Sequence, residues 1–228
     1  MKPVINSAIE EIRSSIEIKN NILMYRDVPV LKAPWDLEII LLLIEEIRPT
    51  LIIETGTAYG GSAFLYADFM RLIGTTIKMP SVITVEDRSH YKGDGTHLDP
   101  VSMTGYIPDN FKVVRHPDVL YIERNSLDEK TLNEISKYLP GRKVLVNLDS
   151  DHHWNHVTKE LQSYSKFVSV NSYLIVEDMK INLVHLQHGT GPDEAVYEFL
   201  KGNNSFEIDK SQNNPKSLNI DGYLRRVK

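Results

Sequence analysis

A doubly wound α/β domain is what this sequence predicts, and three observations carry the expectation. Residues 51–62 read Leu-Ile-Ile-Glu-Thr-Gly-Thr-Ala-Tyr-Gly-Gly-Ser. An apolar run of strand length stops at Glu54, reverses at Gly56 and passes through Gly60-Gly61-Ser62 into a helix-like segment over 63–73. Further strand-length apolar runs, at 82–85, 119–122, 143–148 and 173–176, alternate with helix-length segments. Most of these runs end in carboxylates: Glu54, Glu86-Asp87, Asp149 and Glu177-Asp178. The carboxyl edge of a parallel sheet is where open α/β folds bind their ligands. The expected architecture is therefore Rossmann-like, a seven-stranded, mostly parallel sheet with helices on both faces.

Taken in order, Ile5, Ile9, Ile12 and Ile16 recur at helical spacing with polar residues between them. This amphipathic helix packs on its own domain, covers a ligand cleft or meets another subunit. Residues 25–34, with Pro29 and Pro34, read as a loop. Asp36 is the expected N-cap of a helix running to Ile47 and stopping before Pro49. After the strand at 81–85, the segment 89–117 is broken by Gly93, Gly95, Pro100, Gly105 and Pro108 and reads as a binding loop or insertion carrying Tyr91, His97 and Tyr106. Helices are expected over 128–138 and 154–167. The loop 179–191 carries His185 and His188, expected to line an acceptor pocket. Pro192 suits the first turn of a helix over 193–200, and 206–208 with 221–227 form a closing antiparallel pair. The layout divides the chain into a helical N-terminal extension, 1–33, and the α/β domain, 34–228.

With 228 residues, 41% of them hydrophobic, and no Ser/Gly/Pro-rich linker, the chain suits one sizeable core. The absence of cysteine excludes disulfides, thiolate nucleophiles and Cys-based metal sites, which suits a cytoplasmic protein. A formal charge of −5 with scattered basic residues leaves no electrostatic footprint for nucleic acid. The longest apolar stretch, 37–44, is interrupted by Glu38 and closed by Glu45-Glu46, too short to span a bilayer, and the N-terminus lacks a signal-peptide layout.

The glycine spacing separates two ligand classes. A dinucleotide fingerprint needs Gly-x-Gly-x-x-Gly, but Ala58 stands at the second glycine and the glycines fall at Gly56, Gly60 and Gly61. A strand-ending carboxylate followed by Gly-x-x-x-Gly-Gly-Ser resembles motif I of S-adenosylmethionine-dependent methyltransferases. Glu86 ends the second strand where an acidic residue accepts hydrogen bonds from ribose hydroxyls, and Asp87 follows it facing the other way. Asn125 and Ser126, after the third strand, lie where polar groups reach an adenine ring.

The stretch 143–156 delivers Asp149, Ser150, Asp151, His152 and His153 at the end of the fourth strand, and the fifth ends in Glu177-Asp178. Gathering three or four carboxylates carries a repulsive cost unless a cation offsets it, so a divalent metal is expected. Oxygen ligands suit Mg²⁺, Mn²⁺ or Ca²⁺ better than zinc. Such an ion anchors an acceptor hydroxyl and lowers its pKa, with His152 or His153 nearest to take the proton.

Together these residues resemble the cephalosporin hydroxylase family, whose members share a class I methyltransferase fold, and the macrocin-type sugar O-methyltransferases. The resemblance rests on Pro34-x-Asp36-Leu37, Ile53-Glu54-Thr55-Gly56-Thr57 with Gly60-Gly61-Ser62, and Asn125-Ser126. It continues through Asp149-Ser-Asp-His, Asn-Ser-Tyr-Leu-Ile-Val-Glu-Asp, Gly189-Thr190-Gly191-Pro192 with Glu194-Ala195-Val196, and Gly222-Tyr223-Leu224-Arg225-Arg226. It implies a donor site at Glu54, Gly56, Thr57, Tyr59, Gly60, Gly61, Ser62 and Glu86, with Asp87, Asn125, Ser126 and Asp149 bordering it. It implies Mg²⁺ ligands at Asp151, Glu177 and Asp178, with Asp149 as the alternative first ligand, and a catalytic group of Asp151, His152 and His153. The family usually has glycine where Asn125 stands, and the 89–117 loop is longer than usual. The expected activity is S-adenosylmethionine- and metal-dependent O-methylation of a hydroxyl on a sugar or small natural product, with no nucleic-acid or membrane partner and homo-oligomers possible. Family-type hydroxylation, nicotinamide-dependent oxidoreduction and a non-catalytic donor-binding module are the alternatives.

Overall fold

The computed structural model describes residues 3–19, 22–87, 113–181 and 190–228. Tyr91, His97, Tyr106, His185 and His188 lie outside the described residues. The chain opens with α1 (Pro3–Ser14) and a three-stranded antiparallel sheet, β1 (Ile16–Lys19), β2 (Ile22–Tyr25) and β3 (Val28–Val30). Next come α2 (Pro34–Ile47), β4 (Leu51–Thr55), α3 (Gly61–Leu72), β5 (Val82–Val85) and β6 (Val119–Ile122). They are followed by α4 (Glu129–Ser136), β7 (Val144–Leu148), α5 (Trp154–Tyr164), β8 (Tyr173–Val176), α6 (Pro192–Lys201), β9 (Phe206–Ile208) and β10 (Tyr223–Arg226).

The main sheet has the order β6-β5-β4-β7-β8-β10-β9. Pairs from β6 to β8 are parallel, and β10 runs antiparallel to both β8 and β9. Strand order reverses at β4, which is wholly buried. Its alternating side chains reach two different cores, Ile52 toward the one containing α1, α2 and α3 and Leu51 with Ile53 toward the one containing α5. Both faces are therefore covered, as the apolar runs required. Ala8, Ile9 and Ile12 of α1 join the first core, so its apolar stripe packs on its own domain. Among the described residues no helix is long and apolar enough to cross a membrane.

Three local expectations are corrected. The β2–β3 hairpin lies partly where a loop was expected, and the strand β1 follows directly on α1. Ile16 fits both the helical spacing of the preceding isoleucines and the alternation of Ile16-Glu17-Ile18-Lys19, and hairpin pairing selects the second. Arg26 and Asp27 close the β2–β3 turn with φ of 49° and 62°, a primed-turn geometry reached here without the glycine that usually announces it. Asp36 is not an N-cap. Ala33 occupies that position, Pro34 opens the helix, and Asp36 is buried in its first turn accepting a hydrogen bond from the Ser217 hydroxyl.

Glycine is demanded at the central turn by the protein's own packing. Gly56 has φ +87°, and a Cβ there would lie 1.8 Å from the carbonyl oxygen of Asp149. A Cβ on Gly61, the first residue of α3, would lie 2.0 Å from the carbonyl oxygen of Pro29 in β3. The first contact lets the ends of β4 and β7 close together, and the second seats the small sheet on the N-terminus of α3. Gly56→Ala should lower stability by at least about 2 kcal/mol, read as a lower urea midpoint at unchanged slope. A midpoint matching the parent would show that this approach relaxes freely.

Candidate active site

Four strand ends converge on one edge. The N–H of Gly56 bonds Val85 O, that of Glu86 bonds Ile122 O, that of Asp149 bonds Thr55 O and that of Glu177 bonds Leu148 O, each at 2.9 to 3.0 Å. Each residue thus steps off its strand level with its neighbour. Glu54 sits just below, fully buried, its carboxylate accepting from the Ser62 hydroxyl at 2.6 Å and the Thr84 hydroxyl at 2.9 Å. Burial pushes its pKa up to about 7 against the opposing pull of Lys32 and these hydroxyls. Thr57 shares a hydrogen bond of 2.8 Å with Thr84, so β4, β5 and the start of α3 are tied beneath the turn.

Around that turn, Glu86 accepts a hydrogen bond from the Ala58 N–H at 3.1 Å, placing its carboxylate over the loop. Tyr59 is buried against Ile22 of β2. Gly60 caps α3 with φ +83°. Asp87 is half-buried beside Glu86. Asn125 folds back to accept from the Leu127 N–H at 2.9 Å, an Asx turn. Ser126 is buried, and its hydroxyl lies 3.2 Å from His156 Nε2.

Of the acidic residues at these strand ends, Asp149 and Asp178 meet at one point together with His152. Asp149 Oδ1, His152 Nε2 and Asp178 Oδ2 come together, with the nitrogen 3.5 Å from each oxygen and all three atoms within 4.8 Å of one another. Asp178 has φ +53°, and its N–H is held by Asn219 Oδ1 at 2.7 Å. This left-handed turn directs it to the shared point, whereas a continuing strand would turn it away. Asp151 is half-exposed and pairs with His153, accepting from its backbone N–H at 2.9 Å and lying 2.6 Å from its Nδ1. Neither Asp151 nor His153 joins the group. Glu177 turns inward, where its carboxylate accepts from Asn147 Nδ2 at 2.6 Å and from Lys32. The atoms gathered here are thus those of Asp149, His152 and Asp178, with Glu177 joined to Asp149 on the inner side through the Lys32 ammonium.

Lys32 was not singled out in the sequence. Its side chain is 1% exposed, and its ammonium donates to Asp149 Oδ2 at 2.7 Å and to Glu177, with Glu54 Oε1 at 4.0 Å. Burial disfavours its charge, but Asp149 and Glu177 outweigh that and hold its pKa well above the ordinary lysine value. It is thus held as a cation between Asp149 and Glu177. The signal available was a lone charge in the run Val28-Pro29-Val30-Leu31-Lys32-Ala33-Pro34, where a solvated lysine was not forced by the pattern.

Beneath this edge lies a second polar group that the sequence did not announce. Glu160 of α5 is buried and accepts from the Ser150 hydroxyl at 2.8 Å and the Thr55 hydroxyl at 3.2 Å, with His156 Nε2 at 3.3 Å. It fastens α5 to the ends of β4 and β7.

The sheet order, the lone reversed strand and a glycine turn above a buried carboxylate define a class I methyltransferase fold. Within that class, the chain belongs to the Rhamnosyl O-methyltransferase/CmcI family, whose sequence profile matches residues 18–227. It is 39% identical over 159 residues to the rhamnosyl O-methyltransferase of Mycobacterium tuberculosis (strain ATCC 25618 / H37Rv), covering 68% of this chain and 56% of the relative. It is 34% identical over 167 residues to that of Mycobacterium leprae (strain TN), covering 71% and 62%. The matched region thus spans less than two thirds of these relatives. A CmcI structure designated Mg-SAM shares the fold with a TM-score of 0.59 at 20% identity, over 90% of this chain and 76% of that one. An O-methyltransferase from Bacillus cereus in complex with SAH does so with a TM-score of 0.51 at 13% identity, over 100% and 92%.

Burial works against a charged His152, but Asp149, Asp178 and Glu177 outweigh it and push its pKa up to about 9. A group raised in the folded state stabilises fully below its unfolded pKa, here about 6.5, and that stability is lost as pH rises through the folded value. In metal-free buffer, His152→Gln should therefore flatten the fall in stability between pH 6.5 and 9, the difference from the parent being on the order of 2 kcal/mol. Parallel urea-midpoint profiles for the two proteins would refute the assignment.

Proposed function

We propose that this chain is an S-adenosylmethionine-dependent O-methyltransferase that methylates a hydroxyl of a sugar, such as a rhamnosyl unit, or of a similarly hydroxylated small molecule. The observation that carries the reading is that one sheet edge holds both the glycine turn, with Glu86 over it, and the Asp149–His152–Asp178 group. Membership of a family named for rhamnosyl O-methyl transfer supports it.

Glu86 would accept the ribose hydroxyls of the donor, and the turn from Gly56 to Ser62 would cradle its amino-acid end. Glu54, buried and bonded to Ser62 and Thr84, keeps that turn in shape. The donor supplies a methyl group on a sulfonium, which needs an oxygen nucleophile in line with it.

Asp149 and Asp178 would hold a hard divalent cation, a fit supported by two converging carboxylates and by the buried His152 Nε2, which lacks a hydrogen-bond partner. Such a cation supplies an anchor for the acceptor oxygen and a lower pKa for its proton. His152 would take that proton, because a cation on the two carboxylates offsets the field that otherwise keeps the imidazole charged. Asp151 and His153, paired outside the group, have no part in this assignment.

Calorimetric titration should show S-adenosylmethionine binding and no heat from NAD⁺. Glu86→Ala should weaken donor binding about tenfold. Chelation with EDTA should stop methyl transfer to glycoside acceptors yet leave donor binding intact. NAD⁺ binding in place of the methyl donor would sink the reading. His152→Gln should lower kcat by about 10²- to 10⁴-fold while Mn²⁺ affinity stays within about threefold. Matching losses in both would make His152 a ligand and not the base.

A further inference from the structure

Resting on the donor-binding reading above, we propose that His156 is a positioning residue for the methyl donor: from α5 it joins the loop after β6 to the loop after β7 and presents the Ser126 hydroxyl to the donor's adenine. Its Nε2 lies 3.2 Å from Ser126 Oγ, 3.2 Å from Ser150 Oγ and 3.3 Å from Glu160 Oε1. Ser126 follows β6 and Ser150 follows β7, so one ring nitrogen on one helix meets both strand ends.

The direction of these bonds follows from the buried carboxylate. Glu160 is 1% exposed and accepts from the Thr55 hydroxyl through one oxygen and from the Ser150 hydroxyl through the other. A carboxylate only accepts, so the single hydroxyl proton of Ser150 is committed to it. The His156 nitrogen, within reach of that same carboxylate oxygen and of Ser150 Oγ, must then carry a hydrogen and donate. Burial works against a charged His156, but Glu160 outweighs it and raises its pKa above the ordinary histidine value, in keeping with a protonated ring. Ser126 therefore receives on this side, and its own proton is not needed there. The ring nitrogens of an adenine are acceptors for it. Ser126 is also fixed through its backbone, since its carbonyl accepts from the Tyr164 hydroxyl of the same helix at 2.8 Å. Helix α5 thus grips this residue twice, while Oδ1 of the neighbouring Asn125 is taken up by the Leu127 N–H.

Calorimetric titration with S-adenosylhomocysteine tests the assignment without any turnover. In the full chain, His156→Met should weaken binding at least about tenfold, because the donated hydrogen bond is gone, and Ser126→Ala should do the same. His156→Gln, whose amide donates from nearly the same place, should stay within about threefold of the parent. A ring needed only for packing would not be rescued in this way. The His156→Met/Ser126→Ala pair should lose no more than about twofold beyond Ser126→Ala alone, since both changes act on one contact. Unchanged affinity in His156→Met would overturn the proposal, as would equal losses in the Met and Gln variants or a double variant that loses the product of the two single effects. If His156→Met does not fold, His156→Asn takes its place, its shorter amide stopping before Ser126, with the same tenfold loss expected and unchanged affinity as the refutation. Failure of the parent chain to bind S-adenosylhomocysteine at all would remove the donor reading itself, an outcome separate from these.

Discussion

A lysine ammonium enclosed by carboxylates is the interaction on which the functional end of this molecule depends. Parallel strands deliver Glu54, Asp149, Glu177 and Asp178 to one edge, and negative charges at such spacing in a poorly solvated place repel strongly. Lys32 offsets the inner members directly and so answers part of the charge problem without any external ion. What remains facing solvent is a smaller group, two aspartates around a histidine. The inner group is a buried ion-pair cluster. Such a cluster adds little net stability over apolar packing, but it holds its members in one arrangement, because removing any partner leaves an uncompensated charge.

The same economy governs the backbone beneath. In a dinucleotide fold the glycines of the first turn make room for a ligand. Here Gly56 and Gly61 make room for the protein, one for the carbonyl of Asp149 and the other for that of Pro29. These two contacts bring β7 and β3 against the turn, and so place Asp149 and Lys32 within reach of each other. Hydrogen bonds from Ser62 and Thr84 to Glu54, and from Thr55 and Ser150 to Glu160, then tie the turn to the helices on both sides of the sheet. These bonds hold the turn in one shape from beneath, which suits the proposed placing of a small donor in line with an acceptor.

The N-terminal segment has a larger role than its sequence suggests. Its hairpin buries Leu23, Tyr25 and Val30 in the core on the α3 face, and the Tyr25 hydroxyl reaches Asp68 of α3 at 2.9 Å. Asp68 also meets His116, whose Nδ1 accepts from the Asp118 N–H, so one buried carboxylate links the hairpin, α3 and the approach to β6. These links hold the hairpin in place over α3, and with it the short stretch that carries Lys32.

The sequence by itself determined the seven-stranded sheet, its helices and the strand ends that carry the chemistry. Apolar runs such as Leu51–Thr55 and Tyr173–Val176 are local patterns, and the period of side-chain burial is written into them. It also determined that Glu54, Glu86, Asp149 and Asp178 lie at one edge, since that follows from strand length and parallel topology. Only the tertiary structure decided which acids share a point. Asp149 and Asp151 stand two residues apart past the strand, where alternation no longer applies, and the left-handed turn at Asp178 cannot be read from neighbouring residue types. Lys32 lies 117 residues from Asp149 and 145 from Glu177, and no local period connects them. The Arg26-Asp27 turn was hidden for a related reason: its positive φ values are imposed by pairing between β2 and β3, not by a residue that prefers them. Local patterns fix elements because they depend on a residue's neighbours in the chain. Charge balance fixes a site, and it depends on neighbours in space.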